Sequence, residues 1–456
     1  MSEGRWLPFL CSFSFRISFI TLCAGVTIYR SQKLNVFELH NPAFHFRDLS
    51  TIALLVYMLL SSLGGIAARG LFLMSSHPKP ADPALFVERA KRAIQVLNSK
   101  WYDNKTGIWD AAWWNSANAM TTLADFGMLQ PGDVKGLGLE GVFENTFARA
   151  QLTSVRKSKV MDVDGTIYST YCLNEIGCVE GKDSSQPRRK RGFHNFVDEY
   201  YDDDGWWALA MIHYYDFTGN KQYLQSAVDI FHEMQTGTGT PCGGGIYWNK
   251  DRQYVNAISN ELYLSVAASL ATRDPESKKH LEIAKSQWKW FKHSGMINKD
   301  HLINDGLDDK CKNNGMQTWS YNQGVVLGGL AELATATGNT GYLDEAVSIA
   351  RAAIQHLSDK QGILTEIDKC ELKAGNCGRD GQQFKGIFIR NLRYLHNVLP
   401  LAEFRDFIIR NANVIWEKNR NAHDMLGVAW AGPYVDATGA SQSCALDAIV
   451  AAIAVA

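Results

Sequence analysis

The chain has 456 residues, with 46 Lys+Arg against 47 Asp+Glu, and 46% of it is hydrophobic. That supplies a large core, in one big domain or in two or three at about 100–200 residues each. The near-zero net charge gives no general attraction to nucleic acid, and the one basic run, Arg188-Arg189-Lys190-Arg191, reads as a solvated loop.

Two apolar stretches open the chain. Residues 8–29, "PFLCSFSFRISFITLCAGVTIY", are interrupted by Arg16, and residues 50–68, "STIALLVYMLLSSLGGIAA", follow Arg47 and end in small residues. The second stretch resembles a secretory signal with a cleavage site near Ala67-Ala68, and it is also long enough to span a bilayer. The first is either an added anchor or a product of the chosen start codon. Residues 1–80 are therefore predicted to be a leader for the secretory pathway, cleaved or kept as a membrane attachment. The protein would then be secreted or at the cell surface.

Beyond the leader, Asn104-Lys105-Thr106 is a glycosylation acceptor motif. Six helices rich in small and aromatic residues are predicted at 113–126, 202–215, 255–271, 318–334, 384–399 and 439–456. Amphipathic helices alternate with them at 83–100, 141–155, 221–235, 277–293, 341–357 and 401–418. The segment 243–249, "GGGIYWN", suggests a short hairpin arm. "TGNKQYLQSAVDI" at 218–230 returns as "TGNTGYLDEAVSI" at 337–349, each reading as helix, turn, helix. Repetition of this kind signals stacked helical hairpins. Helices apolar around most of their circumference belong inside other helices, so the pattern predicts two concentric rings.

Seven cysteines lie beyond residue 80. Cys172/Cys178 and Cys370/Cys377 are close pairs without the double CxxC of a zinc site, and read as disulfide-closed loops. Cys242, Cys311 and Cys444 remain, so one of the seven should be unpaired.

In a double ring the inner helix starts converge on one end. Trp114, Asn118, Asp202, Asp203, Asn256, Asn260, Tyr321, Asn322, Gln323 and Lys385 all lie near such starts. Asn and Asp favour helix starts as caps. Aromatics and amides clustered on several converging starts instead suggest a sugar-binding cleft, with indoles on the apolar ring faces and amides reading hydroxyls.

The segment "YYDDDGWWALA", 200–210, sets three carboxylates against Trp206 and Trp207. A calcium loop of EF-hand type fails, because Gly205 as sixth position puts Tyr200 first and Met211 twelfth. Dipole capping accounts for one or two carboxylates, and suits Asp204. Glycoside hydrolysis accounts for a pair. Retaining enzymes hold two carboxyl groups about 5–5.5 Å apart, and adjacent Asp residues at a helix entrance can diverge to that separation. Like charge and nearby indoles would raise one of the two pKa values.

"YYDDDGWWALA", "WSYNQGVVLGGLAEL" and "FKGIFIRNL" resemble motifs of glycoside hydrolase family 76, the α-1,6-mannanases, and "NDGLDDKCKNNG" (304–315) with the cysteines resembles its fungal branch. The resemblance runs from residue 81 to the C-terminus. It implies an all-α (α/α)6 barrel with small β-hairpin or loop insertions, and a retaining, endo-acting mannan endo-1,6-α-mannosidase without metal or other cofactor. It implies Asp202 as nucleophile and Asp203 as acid/base, with Asp204 standing where Glu is often found. Fungal relatives include membrane-attached wall proteins with a hydrophobic C-terminal signal. This sequence ends at Ala456 inside its last predicted helix, which leaves anchoring open.

The leading expectation is hydrolysis of internal α-1,6-mannosidic bonds in mannan or mannose-containing wall glycans. Trp114, Asn118, Trp206, Trp207, Asn260, Tyr321, Asn322, Gln323 and Lys385 would bind the sugar chain. A transglycosylase joining anchor glycans to the wall shares the chemistry. A non-catalytic mannan-binding protein would use the same cleft, but both aspartates are intact.

Overall fold

The computed structural model describes residues 81–152, 195–373 and 377–456, with the backbone of three strands between 155 and 178. The leader, the run 188–191 and the side chains of Cys172 and Cys178 lie outside the described residues. No helix among the described residues is long and apolar enough to cross a membrane.

Twelve α-helices occur among the described residues. The inner ones are α2 (Trp113–Leu129), α4 (Tyr201–Thr218), α6 (Ala257–Leu270), α8 (Ser320–Thr337), α10 (Phe384–Val398) and α12 (Gly439–Val455). Each packs on the next and α12 returns to α2, closing a ring. Outside it lie α1 (Pro83–Trp101), α3 (Leu139–Ala150), α5 (Lys221–Gln235), α7 (Ser277–His293), α9 (Gly341–His356) and α11 (Ala402–Lys418). This is an (α/α)6 barrel.

Inner helices such as α6 and α12 are buried on nearly every side, whereas α5 and α7 bury one stripe. Small residues let the inner helices approach closely. A Cβ on Gly205 would come within 2.8 Å of Leu262 Cβ, where α4 crosses α6. One on Gly386 would meet the Cys444 carbonyl at 2.5 Å, where α10 crosses α12.

The repeated Thr-Gly-Asn turns have one geometry. Gly219 and Gly338 take the left-handed conformation (φ 70° and 69°) and donate N–H to the carbonyls of Tyr215 and Ala334. Asn220 and Asn339 then accept the N–H two residues on, at 3.0 Å in both. Each turn so ends one helix and starts the next.

Two expectations change. The outer helix expected at 141–155 ends at Ala150, and the chain enters a hairpin of β3 (Val155–Met161) and β4 (Ile167–Leu173), with β5 (Gly177–Cys178) beside β4. That hairpin, and the two-stranded turn β1 (Tyr102–Asp103) and β2 (Ile108–Trp109), are the β insertions. Segment 243–249 forms no hairpin of its own. Ile246 bridges to Thr238 and Asn249 to Tyr200, so this loop is tied to its neighbours rather than to itself.

Cys242 and Cys311 form a disulfide, as do Cys370 and Cys377. Cys444 is free and buried between α10 and α12, where it accepts the Gly386 N–H at 3.1 Å. The backbone of Cys172 pairs with that of Cys178. Asn104 is exposed in the β1–β2 turn, and Thr106 of the same motif donates its hydroxyl to Asp103 at 2.9 Å.

Candidate active site at the converging helix starts

Contacts between starts put the inner helices parallel. Trp114 of α2 stacks on Trp206 of α4, centroids 5.8 Å apart and planes 26° apart. Tyr321 of α8 stacks on Phe384 of α10 at 3.8 Å and 12°. Gln383, just before α10, hydrogen-bonds Asn115 of α2 and Ser443 of α12.

Asp202, Asp203 and Asp204 occupy the first turn of α4 and are buried, with 5% of Asp202 still exposed. Asp202 Oδ2 accepts the Trp248 indole N–H at 3.1 Å. Asp204 turns the other way: Oδ1 accepts the Asp198 N–H at 2.7 Å and Oδ2 lies 3.7 Å from Lys250 Nζ. Burial pushes the Asp204 carboxyl well up, with Lys250 opposing.

More carboxyl groups close around Tyr321. Asp305 accepts the Tyr254 hydroxyl at 2.6 Å, and burial, with the charge of Asp202, pushes it up to about 6. Glu261 is raised well above the usual range by burial and by Asp305. Burial, then Asp305, Asp202, Glu261 and Asp380, raise the Tyr321 phenol, which stays a hydroxyl donor. Asp380 accepts the Trp114 indole N–H at 2.7 Å. Both oxygens of Glu261, both polar atoms of Asn322, Asp305 Oδ1 and Asp380 Oδ2 are buried without a protein partner. Buried polar atoms are normally hydrogen-bonded, so this group is built to meet water or a polar ligand.

Several sequence candidates serve the framework instead. The Asn260 amide bonds the Ile246 N–H and carbonyl at 2.8 and 2.9 Å, and Gln323 holds Ile303 likewise, at 2.8 Å on both sides. These amides are spent on main chain. Lys385 is fully buried and donates to Glu371 and to the Val428 carbonyl, at 3.0 and 2.8 Å. Asn118 accepts from Arg390 inside the barrel. Trp207 lies in the core against Trp113 and Phe196, 5.5 and 4.7 Å away. Trp114, Trp206 and Tyr321 remain with the aspartate pair, and Asn322, next to Tyr321 in the chain, is buried with both polar atoms unspent.

Trp248, Asp305, Glu261 and Asp380 were missed by sequence reasoning. A signal for the first two exists. Each lies two residues after a buried aliphatic, Ile246 or Ile303, in loops that repeat before inner helices.

The profile of glycosyl hydrolase family 76 matches residues 187–456, and the chain belongs to that family. The mannan endo-1,6-alpha-mannosidase DFG5 of Saccharomyces cerevisiae is 30% identical over 217 residues, 44% of this chain and 47% of that protein. A putative mannan endo-1,6-alpha-mannosidase of Schizosaccharomyces pombe is 28% identical over 214 residues, 44% of this chain and 48% of its own length. The chain thus spans about half the length of the curated relatives it matches. Dfg5 from Chaetomium thermophilum, solved with glucosamine, superposes with a TM-score of 0.65 at 17% identity, over 83% of this chain and 92% of that one. An inactive variant of an α-1,6-mannanase from Salegentibacter, with two consecutive aspartates replaced and α-1,6-mannotetrose bound, gives 0.63 at 20%, over 82% and 99%. At these identities the likeness is one of fold.

Proposed function

We propose that the protein is a retaining, endo-acting glycoside hydrolase that cuts α-1,6-mannosidic bonds, with Asp202 as nucleophile and Asp203 as acid/base. The observation that carries this reading is the placement of two consecutive buried aspartates on the first turn of an inner helix, beside the Trp114–Trp206 stack. The names of the curated relatives support the linkage. The two disulfides support an oxidising compartment, hence the secretory pathway and the cell surface or wall.

In the first step an Asp202 oxygen bonds to the anomeric carbon. The glycosidic bond breaks as the leaving oxygen takes the Asp203 proton. In the second step Asp203 removes a proton from water, whose oxygen attacks the same carbon and frees Asp202. The Trp114–Trp206 stack gives the aspartates an apolar flank for a sugar ring to meet, and Asn322, Glu261 and Asp380 offer unspent polar atoms for hydroxyls.

Purified protein incubated with unbranched α-1,6-mannan tests this. Shorter chains whose new reducing ends are initially α, followed by NMR, are expected. Initial β ends would remove the retaining mechanism. Products longer than the substrate would shift the reading to transglycosylation, and binding without turnover would reduce it to recognition.

A further inference from the structure

The loops entering four inner helices share a plan. Each carries a buried aliphatic residue bridged to the end of the preceding outer helix or just beyond it: Ile246, Ile303, Leu364 and Leu426. Two residues on, each loop reaches back to the start of the previous inner helix. The Trp248 carbonyl accepts the Tyr201 N–H at 2.9 Å, and the Asp305 carbonyl accepts the Ala257 N–H at 2.7 Å. Glu366 does this with its carboxylate, which accepts the Ser320 N–H at 3.0 Å. The Val428 carbonyl accepts from Lys385 at the start of α10.

The position thus serves a helix start, and the four copies differ in which atoms do so. Glu366 spends its side chain on the cap. Trp248 and Asp305 cap with main chain, which leaves their side chains for other work. The indole N–H of Trp248 goes to Asp202 Oδ2. Its ring is held against Tyr200, centroids 5.0 Å apart, and edge-on to Tyr254 at 6.0 Å. The Tyr254 hydroxyl holds Asp305, so the two copies are joined.

We propose that Trp248 is a positioning residue for Asp202: its indole N–H fixes the rotation of the carboxylate that attacks the anomeric carbon. The proposal rests on the nucleophile assignment above. A carboxylate that loses this donor holds the attacking oxygen in the productive orientation for less of the time, so loss of the N–H slows the chemical step more than substrate binding.

The test compares wild type, Trp248→Phe, Trp248→Ala and a chain with benzothienylalanine at 248, which keeps the ring shape but has sulfur in place of the N–H. Asp202→Asn is the control. With α-1,6-mannotetraose, Trp248→Phe and the benzothienyl chain should lose about tenfold to a hundredfold in kcat, with KM within about twofold. Thermal unfolding of the benzothienyl chain should match wild type. Wild-type kcat in the benzothienyl chain overturns the proposal, even if Trp248→Ala is impaired, because packing would then be the whole role. An inactive Asp202→Asn beside such a chain removes only the role of Trp248. An active Asp202→Asn removes the nucleophile assignment and this proposal with it.

Discussion

Asp204 Oδ1 accepts the main-chain N–H of Asp198 at 2.7 Å, so the third carboxylate of the triplet faces the segment that leads into α4. Asp202 meets Trp248 on another side. Successive helical residues point about 100° apart, which lets carboxylates adjacent in the chain enter different environments. Asp202→Asn and Asp203→Asn should therefore each lose about three orders of magnitude or more in kcat on α-1,6-mannan while unfolding near the wild-type temperature. Asp204→Asn keeps an oxygen for the Asp198 N–H and loses only the distant Lys250 pairing, so it should cost about 1 kcal/mol or less of stability and keep most of its turnover. An inactive, fully stable Asp204→Asn beside an active Asp202→Asn would reverse this assignment.

Burial pushes Glu366 up to about 7 and Asp305 up to about 6. The folded state then keeps protons that the unfolded state has released above its ordinary carboxylate range. Stability from these groups is present at low pH and lost as pH rises from about 4 to 7. Glu366→Gln keeps an acceptor for Ser320 and removes one titration, so its melting temperature should fall less across that window than wild type's. Parallel curves in urea or heat would contradict the assignment.

Cys444 is the free thiol among the described cysteines, and burial pushes it up to about 12. Native protein should leave it unreactive toward a maleimide, and denaturant without reductant should expose it. Labelling of any of Cys242, Cys311, Cys370 or Cys377 under those conditions would oppose the disulfide assignments.

Asp380 holds the edge of Trp114, the indole that stacks on Trp206. Asp380→Ala should leave that ring less fixed and remove an acceptor from the site, raising KM by about tenfold. Asp380→Asn keeps an oxygen for the indole and should fall between the two. Unchanged KM in both variants would place Asp380 outside the sugar contacts.

Helix positions were legible because they depend on neighbours along the chain. The paired Thr-Gly-Asn turns use a left-handed glycine and an Asn side chain that accepts the N–H two residues on, and the small-residue pattern of 439–455 permits little but burial on all sides. The placement of the aspartates at a helix start was legible for the same reason, and adjacency is the signal behind the role proposed for them. What Asn260, Gln323 and Lys385 do was not, because helix-start amides look alike until the loop each one faces is known. Packing turned these three toward the Ile246, Ile303 and Val428 main chain, where an unpaired buried peptide group would cost more than a sugar contact adds. The partner of Cys242, 69 residues away, and the approach of Trp248 to Asp202, 46 residues away, likewise have no local trace. Both follow from ring closure, which brings successive hairpins together and leaves each loop to settle by the geometry of its neighbours.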